Sequence, residues 1–119
     1  MTRHDDTVRL RHMLDAAREA VDFSKGRSRK DLENDRLYHL AMVRLVEVIG
    51  EAAARVSEAT RQAHPHVPWS EVVGARNRLI HGYDQVDLDI LWDILALDLP
   101  PLVQQLDRIL GGGPSPSSP

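Results

Sequence analysis

Residues 31–63, DLENDRLYHLAMVRLVEVIGEAAARVSEATRQA, decide the fold. Leu37, Leu40, Ala41, Arg44, Val48, Ala52 and Val56 step along one side at helical spacing, and Leu45, Ile49 and Ala59 widen that stripe. The spacing predicts one long helix over 31–63. So broad a stripe exceeds what a single antiparallel neighbour covers, so the helix is expected to pack in a bundle and against a second copy of the chain. Gly50 and the run Ala52-Ala53-Ala54 permit close helix approach. Glu51 stands among them as a carboxylate between small side chains.

Working outward, Leu10, Met13, Leu14, Ala17 and Val21 predict a first helix over 6–23, and residues 24–28 (SKGRS) break the pattern as a loop. Lys25, Arg27, Arg29 and Lys30 crowd this segment and read as a solvated loop rather than a nucleic-acid track. Asp31, Glu33 and Asp35 suit the first turn of a helix, where the dipole favours acids. His64-Pro65-His66-Val67-Pro68-Trp69 must interrupt the long helix, because neither proline can donate a backbone hydrogen bond. Ser70 is the expected N-cap of a third helix over 71–81, stopped by Gly82. Asp87 is the expected N-cap of a last helix that Pro100-Pro101 must kink or split. Trp69 and Trp92 read as core anchors. Residues 1–110 thus form one all-α domain, an antiparallel bundle of four to five helices dimerising through its long helices. Residues 111–119, built only from Gly, Pro and Ser, read as a disordered tail.

Composition narrows the function. Of 119 residues 42% are apolar and only 4% aromatic, which favours packed helices over a sandwich or barrel. Without cysteine there is no disulfide, thiolate metal site or cysteine nucleophile. The charged start MTRHDD offers no apolar stretch for export, and no apolar run reaches the roughly 20 residues that span a bilayer. The protein is therefore expected to be soluble and cytoplasmic. A net charge of −3 argues against general nucleic-acid binding and leaves only local clusters for that task. His64 and His66 offer two imidazoles but no third ligand nearby in sequence, so no metal site and no cofactor is expected.

The chemistry concentrates in Arg76-Asn77-Arg78-Leu79-Ile80-His81-Gly82-Tyr83. Cleaving RNA without a metal needs a group that moves protons at the ribose 2′-hydroxyl and the leaving 5′-oxygen, and a cation that steadies the phosphate. Histidine titrates near working pH, and the planar, permanently charged guanidinium of arginine matches a phosphate. At about 100° per residue, Arg76 and His81 stand about 140° apart around a regular helix, whereas Asn77 and His81 share a face. A helix that ends at His81, or a site assembled across a dimer axis, would bring Arg76 and His81 together. Glu51 is the expected partner that orients Arg76, the alternative being an ordinary solvated position.

Arg76-Asn77-x-x-x-His81 resembles the R-x-x-x-x-H motif of the HEPN superfamily of ribonucleases. With Tyr83 it resembles the longer R-x-x-x-x-H-x-Y signature of the HepT toxins. Ile49-Gly50-Glu51-Ala52, Val67-Pro68-Trp69, Val86-Asp87 and Leu99-Pro100 follow the family's order, over roughly residues 5 to 110. The resemblance implies an obligate homodimer with a metal-independent endoribonuclease cleft at its interface, Arg76 and His81 being catalytic. It also implies the toxin half of a type VII toxin–antitoxin pair, assembled with a cognate MNT-type minimal nucleotidyltransferase into a hetero-oligomer. That transferase would silence the toxin by adenylylating Tyr83. The alternative is a catalytically idle helical dimer that binds nucleotide or the transferase. Arg76 and His81 favour the enzyme, since an idle dimer needs neither.

Overall fold

The computed structural model describes residues 3–81 and 85–111. Gly82, Tyr83, Asp84, the side chain of His81 and residues 112–119 lie outside the described residues, and with them the expected helix stop, the tyrosine expected to be adenylylated and the expected tail. Four longer helices carry the fold: α1 (Arg3–Ser24), α3 (Arg36–Ala54), α5 (Trp69–Leu79) and α7 (Leu99–Ile109). Short helices α2 (Arg29–Asn34), α4 (Glu58–Ala63) and α6 (Leu88–Asp93) join them, with a π-helical turn over Ile94–Asp98 and a two-residue ladder of β1 (Ile80–His81) with β2 (Gln85–Val86). α1 packs on both α3 and α7, and α3 packs on α5, so the all-α bundle expected from the sequence is the observed architecture.

The core is aliphatic. Leu10, Met13, Leu14 and Ala17 of α1 are buried as the spacing predicted, against Tyr38, Met42, Val46, Ile49 and Ala53 of α3. Each large side chain so buried contributes roughly 1.5–3 kcal/mol. A bidentate Arg18–Asp107 pair at 2.9 Å ties α1 to α7 at the surface. Trp69 is a core anchor as expected, and its Nε1 donates to the His64 carbonyl at 2.9 Å.

The single helix over 31–63 is instead three. Asp35 ends α2 and caps α3, its carboxylate accepting from the Tyr38 amide at 3.1 Å. Ser57 caps α4 by accepting from the Thr60 amide at 3.3 Å. Both side chains offer the backbone a local partner that competes with helix continuation, the mechanism that places Asp and Ser at caps. Buried Asp6 of α1 secures the second break by accepting from the Ser57 amide (2.9 Å), the Ser57 hydroxyl (2.6 Å) and Thr60.

The face of α3 also differs from the expected one. Leu37 is 80% exposed and Leu40 47%, and Ala41 and Arg44 lie outside with them, while Ala52 and Val56 are buried within the bundle. The basic loop is ion-paired as well as solvated: Arg27 meets Asp35 at 2.9 Å and lies 4.5 Å over the Tyr38 ring, and Arg29 bridges to Glu33 and Asp89.

α5 begins at Trp69 with Pro68 in the capping position, two residues before the expected Ser70 cap, and it ends at Leu79 rather than His81. Asp87 caps α6 as expected, accepting from the Ile90 amide at 3.1 Å. The interruption expected at Pro100-Pro101 falls in the turn just before them, which is π-helical and separates α6 from α7, the Leu99 amide donating five residues back to the Ile94 carbonyl. This π turn lets the two prolines occupy the first turn of α7, where missing donors cost least.

Candidate active site

The site begins at a glycine. A Cβ on Gly50 would stand 3.2 Å from the Val72 carbonyl oxygen and 3.4 Å from that of Val73, so α3 and α5 touch backbone to backbone there. Arg76 lies one turn beyond Val72–Val73 on α5, and Glu47 one turn before Gly50 on α3. The two helices run antiparallel, so the crossing sets these two side chains opposite each other. The Arg76 Nε donates to the Glu47 Oε2 at 2.7 Å.

Glu47 is the partner of Arg76 that the sequence reading missed. Glu51, expected to hold Arg76, is exposed and faces Arg44 at 3.8 Å instead. Arg44 also reaches Glu47 at 3.5 Å, so charges alternate along the outer ridge of α3 from Glu51 through Arg44 and Glu47 to Arg76. The available signal was the spacing: Glu47 and Glu51 are one turn apart on one face, and the crossing at Gly50 selects the earlier.

The helix stops where it must for His81 to leave it. The Ile80 amide still donates to the Arg76 carbonyl, but Ile80 itself is extended at φ −108°, ψ 121°. Ile80 then pairs with Val86 and His81 with Gln85, two β-branched side chains standing opposite in the first pair. The base of this hairpin is pinned: the Asp87 amide donates to the carbonyl of fully buried Leu79 at 2.6 Å. His81 thus stands two residues from a buried, hydrogen-bonded anchor and is no longer bound by the 140° separation of a regular helix. Asn77 is exposed beside Arg76 at the end of α5.

Arg78 points elsewhere. Its Nη2 lies 3.8 Å from Asp98 at the π turn. Burial pushes the Asp98 carboxyl above the ordinary carboxylate range; Arg78 opposes that rise, and Glu71 and Asp93 add to it. His64 and His66 meet edge to face with ring centroids 6.1 Å apart. No helix among the described residues is long and apolar enough to cross a membrane.

The chain is similar to known proteins along most of its length. The chain is 36% identical over 101 residues to a protein of Caldanaerobacter subterraneus subsp. tengcongensis named "Putative RNase", covering 85% of this chain and 90% of that one. It is 33% identical over 109 residues to a Methanocaldococcus jannaschii protein, also named "Putative RNase", covering 92% of this chain and all of the relative. A "Probable ribonuclease HepT" of Thermococcus cleftensis is 29% identical over 100 residues, 84% of this chain and 91% of that protein. No solved structure matches. Residues 13–109 match the family described as Ribonuclease HepT-like, and the chain belongs to that family.

Proposed function

We propose that this protein is a metal-independent endoribonuclease and the toxin of a type VII toxin–antitoxin pair, with Arg76 and His81 as its catalytic residues. The observation that carries the reading is the Arg76–Glu47 pair at the end of α5. It orients a guanidinium next to the point where the chain leaves the helix toward His81. The planar, permanently charged fork of a guanidinium held in place by a carboxylate suits an RNA phosphate. The ribose 2′-oxygen attacks phosphorus as its proton departs, the 5′-oxygen leaves and is protonated, and the products are a 2′,3′-cyclic phosphate and a 5′-hydroxyl. His81 handles these proton transfers, Arg76 steadies the phosphate, and exposed Asn77 supports substrate placement.

The active form is a homodimer. Leu37 and Leu40, with Ala41, give α3 an apolar outer half that stays exposed among the described residues, and a second copy of the chain buries it. The cognate MNT-type nucleotidyltransferase controls the enzyme by adenylylating Tyr83, two residues from His81. The added phosphate and adenosine oppose an RNA phosphate approaching Arg76 by charge and by bulk.

The test is cleavage by the purified chain. His81→Ala and Arg76→Ala abolish it while the helical circular dichroism is retained. Wild-type cleavage survives EDTA and leaves a cyclic phosphate; loss of activity in EDTA overturns the Arg–His mechanism. Incubation with the cognate transferase and ATP adds AMP mass to wild type but not to Tyr83→Phe, and equal labelling of both overturns the assignment of Tyr83.

A further inference from the structure

A depression of about 180 Å³ lies between α1 and the C-terminal half of α3, lined by Arg9 and His12 of α1 and by Val48, Glu51, Ala52 and Arg55 of α3. Arg9 lines it, and the Nε of Arg9 is buried with no hydrogen-bond partner among the described residues. Leaving a buried donor of a charged group without a partner is costly, and an anion bound by the rest of this guanidinium would offset that cost. Arg18, Arg27, Arg29, Arg44, Arg76 and Arg78 each face a carboxylate. Among the described residues no ion pair joins Arg9, His12 or Arg55 to one. Glu51, the carboxylate of the lining, faces Arg44.

The place of this cluster in the fold gives it meaning. Arg55 follows Glu47, the partner of Arg76, by eight residues, about 12 Å along α3 at 1.5 Å per residue. We propose that Arg9, His12 and Arg55 form a phosphate subsite that grips the RNA backbone a short stretch of strand away from the phosphate held by Arg76. The inference rests on the ribonuclease reading above. It answers a difficulty in that reading, since a chain of net charge −3 repels a polyanion unless cations are gathered where the strand runs. The depression has the volume of about six waters at about 30 Å³ each, room for a phosphate group. Val48 and Ala52 form an apolar wall that strengthens charge–charge hydrogen bonds beside it.

The test uses the full chain and a short fluorescein-labelled RNA whose sugars are 2′-O-methylated, so that it binds without being cut. Arg9→Gln and Arg55→Gln each weaken binding about tenfold by fluorescence anisotropy at about 0.1 M salt, and each lowers the slope of log affinity against log salt by about 0.7. Arg9→Lys and Arg55→Lys keep most of the affinity and the slope, which separates lost charge from lost packing. Unchanged affinity and slope in both glutamine variants overturn the subsite, and wild-type cleavage of the 2′-hydroxyl RNA then leaves the ribonuclease reading standing. If wild type binds with the expected slopes yet cuts no RNA, the ribonuclease reading falls and the phosphate subsite stands.

Discussion

Gly50→Ala and Gly74→Ala make the same chemical change in two helix interiors and are expected to move stability in opposite directions. In a helix, alanine gains roughly 0.5–1 kcal/mol over glycine by reducing the freedom of the unfolded chain. At Gly74 nothing lies within 4 Å of the added methyl, so that gain should appear in full. At Gly50 the methyl meets backbone oxygens of α5 at 3.2 and 3.4 Å, and main-chain atoms of a packed helix cannot rotate aside. Forcing α5 outward costs about 1–3 kcal/mol, the range for overpacking, which leaves a net loss of up to about 2.5 kcal/mol. A loss of that size lowers the melting temperature by several degrees in a domain this small. The assay is urea unfolding followed by circular dichroism, with the two variants beside wild type. The same displacement draws Arg76 from Glu47, so Gly50→Ala should also lose RNA cleavage out of proportion to its stability. If both variants are stabilised alike, α3 and α5 do not meet backbone to backbone at Gly50, and the reasoning that pairs Arg76 with Glu47 fails with it.

Three further outcomes follow from named contacts. Glu47→Gln should change stability by less than about 1 kcal/mol, since the pair is partly exposed. It should nevertheless lower kcat severalfold with little change in KM, and Glu47→Asp should restore part of the rate; an unaltered kcat would remove Glu47 as the residue positioning Arg76. Burial raises the Asp6 carboxyl, but hydrogen bonds from Ser57 and Thr60 outweigh it and hold the group below the usual range. Its contribution is therefore present above the unfolded value near 4 and fades as the pH falls through the lower folded value. Asp6→Asn should cost about 1–3 kcal/mol at pH 7, and the gap from wild type should narrow in acid; a gap independent of pH would contradict the assignment. Leu37→Arg alters a side chain that is 80% exposed in the single chain. It should leave the fold intact while halving the mass seen by light scattering, and a wild-type chain that is already monomeric would end the dimer reading.

The all-α bundle and the core of α1 were legible because apolar spacing states which side of a helix is inward. The face of α3 was not, because that helix is apolar on two sides. Leu37, Leu40 and Ala41 keep helical spacing as faithfully as Tyr38, Met42 and Val46, and periodicity alone cannot say which stripe meets α1. Helix breaks at Asp35 and Ser57 were hidden for a different reason. Each depends on a side chain turning back onto its own backbone, and the second also on Asp6, which comes from a helix about fifty residues earlier in the chain. The paired strands Ile80–His81 and Gln85–Val86 are so short that their signal was absorbed by the helix before them.

The candidate site shows the same division between local and distant information. Arg76, Asn77 and His81 could be picked out as residue types suited to phosphate and proton chemistry, because that choice needs only local sequence. The carboxylate that orients Arg76 could not, because it depends on the stagger of two antiparallel helices. Glu47 and Glu51 are equivalent on α3 considered alone, and only the crossing at Gly50 distinguishes them. α3 therefore serves three surfaces at once. Its inner side fills the core, its flank at Gly50 sets the height of α5 and hence of Arg76, and its outer ridge passes from apolar at Leu37–Ala41 to charged from Arg44 to Arg55. Because a rigid helix couples these surfaces, a substitution on one should be felt at the others.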